Sequence, residues 1–441
     1  MVLIRPMEAV QLPEARLHTG SSAQRTFLSL NSSLWRLAVV AGIAQFSVSV
    51  WVWTFAVFLE PILDPLQIGL TFSIGSLAAL AGYPISGVTA DFIGRKKALI
   101  FSFIPQIAGL YLLWTHPIWP VIPIAYGLHS FGWSFVLVVS RAMPADQITS
   151  DDGPNASRKM TMVLLPTFLM DGLSPLIAVL LLNAGFAQSS LLGLGTILAL
   201  VSMIASVVLV KETMPRHLMK NAKNGGHVPL HSLGGPFWKF TLAMVGYYAA
   251  WGMMIPYFGI LSVVDWGLSL EFYGLAWSAF SLATATLMYN LSGIAGRRVR
   301  KALVFSLLAN GGIMIVLGIG TGPVLFFILN VAWSVPIVIW ISTERLLSIN
   351  GIPEEMKGRA LGVFQTVISS TGLFAAPLGA LLWVYLDSLR MLFLVSGVLA
   401  LILSLVVWRS MLSVDVTTFR PKQRTKAHTS PPHARTTDRM E

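Results

Sequence analysis

The sequence contains no cysteine and few charged side chains. The absence of cysteine excludes disulfides, thiolate nucleophiles and cysteine-ligated metals. Only 11% of the 441 residues are charged, which is about half of the share in a soluble globular domain. The sequence also has no phosphate-binding loop of the G-x-x-x-x-G-K-[ST] type, which disfavours ATP-driven chemistry by this chain alone. A water-soluble fold is therefore excluded.

Hydrophobic residues make up 55% of the chain, and this apolar content needs lipid as its solvent. A helix that crosses a bilayer uses about 20 mostly apolar residues, so about twelve helices account for the hydrophobic residues of the chain. The sequence predicts an all-α polytopic membrane protein with twelve transmembrane helices. We predict these helices at 36–59, 69–90, 98–114, 118–141, 160–183, 190–210, 237–263, 272–294, 302–320, 324–347, 360–384 and 390–409.

The predicted helices form two sets of six, with polar segments before, between and after them. Residues 1–33 have no compact apolar core, so we expect no cleaved signal peptide. The predicted regions are a tail at 1–35, a six-helix half at 36–210, a Gly-rich linker at 211–236, a second half at 237–410 and a disordered basic tail at 411–441.

The basic residues lie almost entirely on one side of the predicted helices. There are 30 Lys and Arg against 19 Asp and Glu, which gives a net charge of +11. The loops on the opposite side contain one basic residue, Arg390. Because Lys and Arg are retained in the cytoplasm during insertion, we expect a multi-pass protein of the cell membrane with both termini cytoplasmic. The basic excess then reflects topology and attraction to anionic lipid, and not a nucleic-acid partner.

The two halves repeat short motifs at a nearly constant offset. Residues 69–78 recur at 274–283, and six of the ten aligned positions are identical. Gly172-Leu173 recurs as Gly372-Leu373, and Arg141 matches Arg345. Two parallel six-helix halves are the pattern of a transporter whose halves rock around a site at the bilayer midplane.

The predicted loop between the second and third helices carries the most specific motif. Residues 87–97 read GVTADFIGRKK. This segment resembles the G-x-x-x-D-R-x-G-R-[RK] loop of the major facilitator superfamily. Together with the twelve predicted helices, the repeat and the linker, the resemblance covers the whole chain and implies the fold of that family, two pseudo-symmetric six-helix bundles. The segment departs from the family pattern at Phe92, where a basic residue is usual.

The resemblance implies a cytoplasmic charge latch that holds an outward-facing state. We expect Gly87 to let backbones approach closely and Gly94 to turn the chain. Asp91 is expected to face a helix N-terminus, and Arg95 to reach a carboxylate. The alternative is that the basic residues only anchor the loop at the membrane surface. The expected partners are Asp146 and the start of the eleventh helix near Arg359, and the full set of gating candidates is Gly87, Asp91, Gly94, Arg95, Lys96, Arg141, Asp146, Glu344, Arg345 and Arg359.

Two ionisable residues lie deep inside the predicted helices. Asp171 follows Lys159, and His129 precedes Arg141, by a distance of about 18 Å along a helix in each case. Ionisable groups at this depth are costly and mark functional sites, and burial disfavours their charged forms. We therefore predict that Asp171 or His129 couples transport to protons. The alternative is that each is a hydrogen-bonded packing residue.

Polar and aromatic residues occur at the same depth on the first, fourth, seventh and tenth predicted helices. The superfamily lines its cavity mainly with these four helices, so the resemblance makes their residues substrate-binding candidates. No Lys or Arg lies at this depth, which disfavours anionic substrates. The candidates are Gln45, Trp51, Tyr126, Tyr247, Tyr248, Trp251, Asn330 and Trp333.

These observations favour secondary active transport of a small neutral or amphiphilic solute by alternating access, coupled to protons. The alternatives are a facilitative uniporter, a drug efflux antiporter and, from another class, an integral-membrane transferase. The transferase is disfavoured because the loops opposite the basic residues are short and carry no carboxylate cluster. We expect a monomer that uses a small-molecule solute, protons and membrane lipid, without a cofactor or metal.

Overall fold

The computed structural model describes residues 30–147, 155–214, 233–295, 298–348 and 357–411. Within these ranges, side chains are described except at 145, 155–161, 289–295, 345, 357–359 and 361. Most of the predicted N-terminal tail and linker, and the C-terminal tail from residue 412, lie outside the described residues.

Long helices account for nearly all of the described chain. Lipid offers no hydrogen bonds to backbone groups, and a helix satisfies its own. The connections that are described in full are short, and successive helices run in opposite directions, so α1 begins and α12 ends at the same end of the bundle. We call this the terminus end and the opposite one the distal end. The helices are α1 Ser32–Leu59, α2 Pro65–Ile93, α3 Arg95–Thr115, α4 Val121–Gln147, α5 Asn155–Asn183, α6 Ser189–Leu209, α7 Gly234–Asp265, α8 Leu270–Ala295, α9 Val299–Ile319, α10 Pro323–Ser348, α11 Lys357–Ser369 with Gly372–Leu386, and α12 Leu389–Met411.

Eleven helices of the described chain are long and apolar enough to cross a membrane. The twelfth long helix, α8, forms where the eighth helix was predicted, but its serine and threonine residues make it less apolar. Helix α8 packs against α5 on one side and α10 on the other. Its polar side chains can therefore face protein instead of lipid, and the predicted helical architecture is confirmed.

The segment that resembles the family loop is mostly helical, which corrects the prediction of a loop between residues 87 and 97. Helix α2 continues to Ile93, and α3 begins at Arg95. The chain turns at Gly94 alone, with φ +97°, a conformation that glycine adopts without steric cost. Likewise, Gly234 to Pro236 at the end of the predicted linker form the first turn of α7, where proline is tolerated because its missing N–H has no helical partner.

Three helices are interrupted. In α1 the α-helix ends at Ser49, and a 3₁₀ turn at Val52–Thr54 leads to the short helix Phe55–Leu59. In α7 the regular helix ends at Met254 and gives way to 3₁₀ and π turns. Helix α11 is interrupted between Ser369 and Gly372. The interruptions of α1 and α7 lie toward the distal end.

The two halves, α1–α6 and α7–α12, meet along two helix pairs. Helix α2 packs on α11, and α5 packs on α8. Ser73 Oγ of α2 donates to the backbone carbonyl of Leu373 in α11, and Ser278 Oγ of α8 donates to the carbonyl of Gly172 in α5. Both serines belong to the motif at 69–78 and 274–283, and both acceptors belong to the repeated Gly-Leu pair. The internal repeat therefore places two matching serines to bond the opposite half, one at the leucine and the other at the glycine of the Gly-Leu pair.

The two acceptors differ in their intrahelical bonding. Pro377 stands four residues after Leu373, so the Leu373 carbonyl lacks its usual intrahelical donor. Leu176 stands four residues after Gly172 and keeps its N–H. Ser73 therefore satisfies a carbonyl that the helix leaves open, whereas Ser278 adds a bond to a carbonyl within a regular helix.

The single basic residue predicted on the distal side is bonded to helix ends. The two terminal nitrogens of Arg390 donate to the carbonyls of Gly320, at 3.4 Å, and Asp265, at 3.2 Å. These carbonyls end α9 and α7, where a cation is favourable next to the negative end of the helix dipole. Arg390 thus stabilises the second half at its distal end.

The unequal acceptors predict unequal costs for removing the two serines. We expect Ser73→Ala to lower the free energy of unfolding by about 1 kcal/mol or more, because the part-buried Leu373 carbonyl has no other intrahelical donor. Ser278→Ala should cost about 0.6 kcal/mol, which is the average for interhelical hydrogen bonds in membranes. Thermal unfolding of the purified variants in one detergent measures both. Equal losses of unfolding free energy in the two variants would contradict the inference that Pro377 leaves the Leu373 carbonyl dependent on Ser73.

Candidate functional site

The halves are in direct contact at the distal end. The Trp53 and Tyr273 ring centroids lie 5.6 Å apart, and a Cβ placed on Gly274 would lie 2.6 Å from the Trp53 ring. A Cβ placed on Gly259 would lie 3.1 Å from Val57 Cγ2. We call residues 52–59, after the break in α1, its outer segment. Glycine at 259 and 274 therefore allows this segment to pack closely on α7 and α8. We call these contacts the distal seal.

Helices α2 and α11 pack closely toward the distal end. A Cβ on Gly69 would lie 3.1 Å from Ala380 Cβ, and one on Gly372 would lie 2.5 Å from Ser76 Oγ. Gly87 lies on the same face of α2 as Gly69, about five helical turns further on. Among the described residues, no atom comes within 4 Å of the Cβ position at Gly87 or Gly362. In this conformation no described residue packs on Gly87, so the expectation that it lets backbones approach closely stays a prediction.

Asp171 forms a polar cluster with α1. Its Oδ1 accepts a hydrogen bond from Ser49 Oγ at 2.5 Å and one from Gln45 Nε2 at 3.2 Å. Gln45 Nε2 also donates to Ser49 Oγ at 2.7 Å. Asp171 is half-buried and lies near the middle of α5. The structure thus brings together the proton-coupling candidate Asp171 and the binding candidate Gln45, and adds Ser49, which the sequence analysis missed.

His129 lies in the aromatic interior of the first half. It is 3% exposed, and its ring centroid lies 5.0 Å from that of Trp51 and 6.3 Å from that of Tyr126. Trp51 is also buried, and its Nε1 donates to the Ser47 carbonyl. Tyr126 is half-buried and stacks on Phe55 at 4.9 Å. In this conformation His129 and Trp51 pack inside the half, while Tyr126 keeps an accessible side.

The second half contains an aromatic cluster between α7 and α10. Trp251 contacts Trp333 at 5.2 Å and Trp340 at 5.3 Å between ring centroids, and Tyr248 contacts Trp340 at 5.0 Å. Tyr248 and Trp251 are half-buried, whereas the two α10 tryptophans are 4% exposed. Tyr248 and Trp251 therefore form the accessible side of the cluster.

A carboxylate lies next to this cluster. Both oxygens of Glu344 accept from Tyr248 Oη, at 2.9 and 3.1 Å, and one also accepts from Trp340 Nε1. Glu344 is 6% exposed. It was predicted as a gating residue from its position near the end of the tenth helix, but the structure places it beside the binding candidate Tyr248.

The remaining binding candidates are buried in the core of the second half. Tyr247 donates to the Leu307 carbonyl at 3.0 Å. Trp333 Nε1 donates to Asn310 Oδ1 at 2.9 Å. Asn330 is 3% exposed on α10. Their polar atoms face the interior of the half in this conformation, so they contribute to its packing.

The charged residues of the motif form a cluster at the terminus end of the first half. Arg95 Nη1 lies 2.9 Å from Asp91 Oδ1, and Arg95 Nε lies 3.3 Å from Asp146 Oδ2. Asp146 also accepts from Thr213 Oγ1 at 2.9 Å. The structure therefore brings Asp91, Arg95 and Asp146 together, and ties α2, α3 and α4 to the segment after α6.

Glu212 occupies the position at the helix N-terminus that was expected for Asp91. It accepts from the backbone N–H of Arg95 at 2.9 Å and that of Lys96 at 3.2 Å. These are free N–H groups of the first turn of α3, where a carboxylate is favourable. Asp91 pairs with Arg95 instead, because it lies one turn earlier on α2. Lys96 Nζ donates to the Val207 carbonyl at 2.7 Å. The acidic residue directly after the sixth helix is the sequence signal for Glu212.

Other gating candidates are placed only in part. Arg141 is exposed on α4 near the terminus end. The side chains of Arg345 and Arg359 lie outside the described residues, although both backbones are helical. In the part of the chain that the structure describes, no group of three His, Cys, Asp or Glu side chains could hold a metal ion.

Comparison with known proteins agrees with this architecture. The family model of the major facilitator superfamily matches residues 34–377. No curated protein matches the sequence significantly.

Solved structures of transporters share the fold at low sequence identity. A mutant of the nucleoside transporter NupG has a TM-score of 0.74 at 11% identity, over 86% of this chain and 99% of that chain. A mutant of the peptide transporter POT has a TM-score of 0.69 at 14% identity, over 88% and 95%. The human organic anion transporter MFSD10 has a TM-score of 0.62 at 14% identity, over 85% and 99%. With a family model that spans most of its length, the chain belongs to the major facilitator superfamily, and it is a membrane transporter and not an enzyme.

Proposed function

We propose that the protein transports a small neutral or amphiphilic solute by alternating access, coupled to protons, as a monomer in the cell membrane with both termini cytoplasmic. The observation that supports this most directly is that α2 and α11 pack closely at Gly69 and Gly372, whereas no described residue packs on Gly87 at the other end of α2. With the termini in the cytoplasm, this conformation is closed to the outside and opens inward. Rocking of the halves about the Ser73 and Ser278 bonds would reverse it.

Two accessible surfaces support a solute site between the halves. On the first half, Gln45 and Tyr126 offer an amide and an aromatic ring. On the second half, Tyr248 and Trp251 offer the accessible side of the aromatic cluster. Aromatic faces with a few polar groups suit a moderately hydrophobic solute. The similar structures include nucleoside, peptide and organic anion transporters, so they favour no single solute class.

Counterflow in proteoliposomes tests the proposal. Vesicles preloaded with sugars, nucleosides, short peptides or neutral amphiphiles are assayed for exchange of labelled solute, with and without a pH gradient. We expect exchange of a neutral or amphiphilic solute, and its accumulation only with the gradient. Exchange without any effect of the gradient would favour a uniporter, and solute efflux against its gradient in exchange for protons would favour a drug antiporter.

Asp171→Asn should uncouple transport. The variant keeps the shape of the side chain but has no proton to exchange, so the pH gradient can no longer drive accumulation. In the native protein, each pH unit can drive about tenfold accumulation per coupled proton, because both correspond to about 1.4 kcal/mol. We expect counterflow to continue in the variant while this accumulation disappears. The matched variant is His129→Gln, and loss of accumulation in it alone would contradict the assignment to Asp171.

Arg95→Ala should slow transport without changing solute affinity, because it breaks both ion pairs of the terminus-end cluster. Partly exposed ion pairs contribute up to about 1 kcal/mol each, so we expect the counterflow rate to fall by about fivefold. The control is Lys97→Ala, which removes an exposed basic residue of the same segment. Equal rates in the two variants would show that the segment is an anchor and not a gate.

A further inference from the structure

Helix α1 breaks directly after the residue that binds Asp171. Its regular helix ends at Ser49, and Trp51 has φ −127° and ψ −27°, outside helical geometry. The N–H of Trp51 donates to the Val48 carbonyl at 3.3 Å, which is a tighter turn than that of an α-helix. The direction of the outer segment of α1 is therefore set within two residues of Ser49.

The outer segment of α1 carries one side of the distal seal. Trp53 packs on Tyr273 and Gly274 of α8, and Val57 packs on Gly259 of α7. Gln188 Nε2 donates to the Thr54 carbonyl at 2.9 Å, which ties this segment to the start of α6. A change in the bend after Ser49 would therefore move Trp53 and Val57 relative to the second half.

Ser49 is the shared member of the Asp171 cluster. It donates to Asp171 Oδ1 and accepts from Gln45 Nε2, so its hydroxyl is oriented by two partners. An O–H···O⁻ bond with a charged carboxylate is shorter and about twice as strong as one with a neutral acceptor. Protonation of Asp171 would weaken this bond and leave Ser49 less constrained.

The groups that bind Asp171 are neutral. Both of its donors, a serine hydroxyl and a glutamine amide, remain uncharged at any pH of interest. Helix α5 packs against α1, α8 and α4. The titratable or charged side chains described on these helices are Arg36 on α1 with Glu60 directly after it, Glu271 and Tyr273 on α8, and Tyr126, His129, Arg141 and Asp146 on α4.

We propose that Ser49 is a positioning residue through which the charge of Asp171 controls the distal seal. When Asp171 is charged, its bond to Ser49 holds the bend of α1 that places Trp53 and Val57 against the second half. When Asp171 is protonated, the bend relaxes and the seal opens more readily. The proposal rests on the proton-coupling role proposed for Asp171, and adds the path from that carboxylate to the closed end of the bundle.

The absence of native cysteine allows the seal to be measured directly by cross-linking. Val57→Cys with Gly259→Cys places two thiols across it, because these positions are in contact in the closed seal. Ala78→Cys with Gly127→Cys serves as the control pair, since both positions lie within the first half and their Cβ atoms would be 3.8 Å apart, a separation that a disulfide spans. Disulfide yield in proteoliposomes is measured from pH 8 to pH 5.5 and divided by that of the control pair, which corrects for thiol ionisation.

We expect the normalised cross-linking to fall by about fivefold as Asp171 becomes protonated. Ser49→Ala should lower the yield at high pH and remove the pH dependence, and Ser49→Thr should restore both because it keeps the hydroxyl. Asp171→Asn should give the low yield at every pH. The matched control is Ser47→Ala. The Ser47 hydroxyl donates to the Ala44 carbonyl and accepts from Gln106 Nε2, so it is not part of the Asp171 cluster. The cross-linking of this variant should keep its native pH dependence.

The outcomes separate this proposal from the proposed function. If Asp171→Asn abolishes proton-driven accumulation but the seal shows no pH dependence, the coupling role stands and the path through Ser49 is wrong. If Ser49→Ala leaves the pH dependence unchanged, the path is also wrong. If Asp171→Asn accumulates solute normally, the coupling role fails and this proposal fails with it.

Discussion

The lack of hydrogen-bond partners in lipid is the constraint on which this structure depends. A regular helix meets it alone, but every interruption opens backbone groups that something else must satisfy. Ser73 donates to the Leu373 carbonyl that Pro377 leaves open, and Arg390 donates to the carbonyls that end α7 and α9. Several polar residues of this apolar chain therefore serve to satisfy open backbone carbonyls. The same bonds fix how the helices and the halves join.

The halves are alike in packing but different in charge. The repeat supplies the pair of serine bonds between them, whereas the two carboxylates near the candidate site break the repeat. Asp171 precedes Gly172, and the residue before the matching Gly372 is Thr371. Glu344 precedes Arg345, and the residue before the matching Arg141 is Ser140. Hydroxyl residues in one half thus stand where carboxylates stand in the other, so the chemistry is not duplicated.

The sequence predicts the helices, the two halves and the family because apolar length, charge bias and the motif are local or repeated signals. Helix contacts depend on how each helix is rotated, which local signals do not record. The bond between Ser49 and Asp171 joins residues far apart in sequence, and the open surroundings of Gly87 among the described residues depend on which conformation is adopted. Glu212 lies in a segment that resembles a family motif, yet its bonds to the start of α3 follow from the fold alone.

The bond from Ser73 to α11 makes α2 a lever that pivots at this residue. Ser73 and Gly87 lie fourteen residues apart, so the arm beyond the serine is about 21 Å long at 1.5 Å per residue. Each degree of tilt about Ser73 then moves Gly87 by about 0.4 Å, and about 15° moves it by about 5 Å. A modest tilt of α2 about the Ser73 bond can thus move Gly87 by the width of a small solute. The Ser73 bond itself barely shifts, and the hydrogen bonds within each helix remain intact.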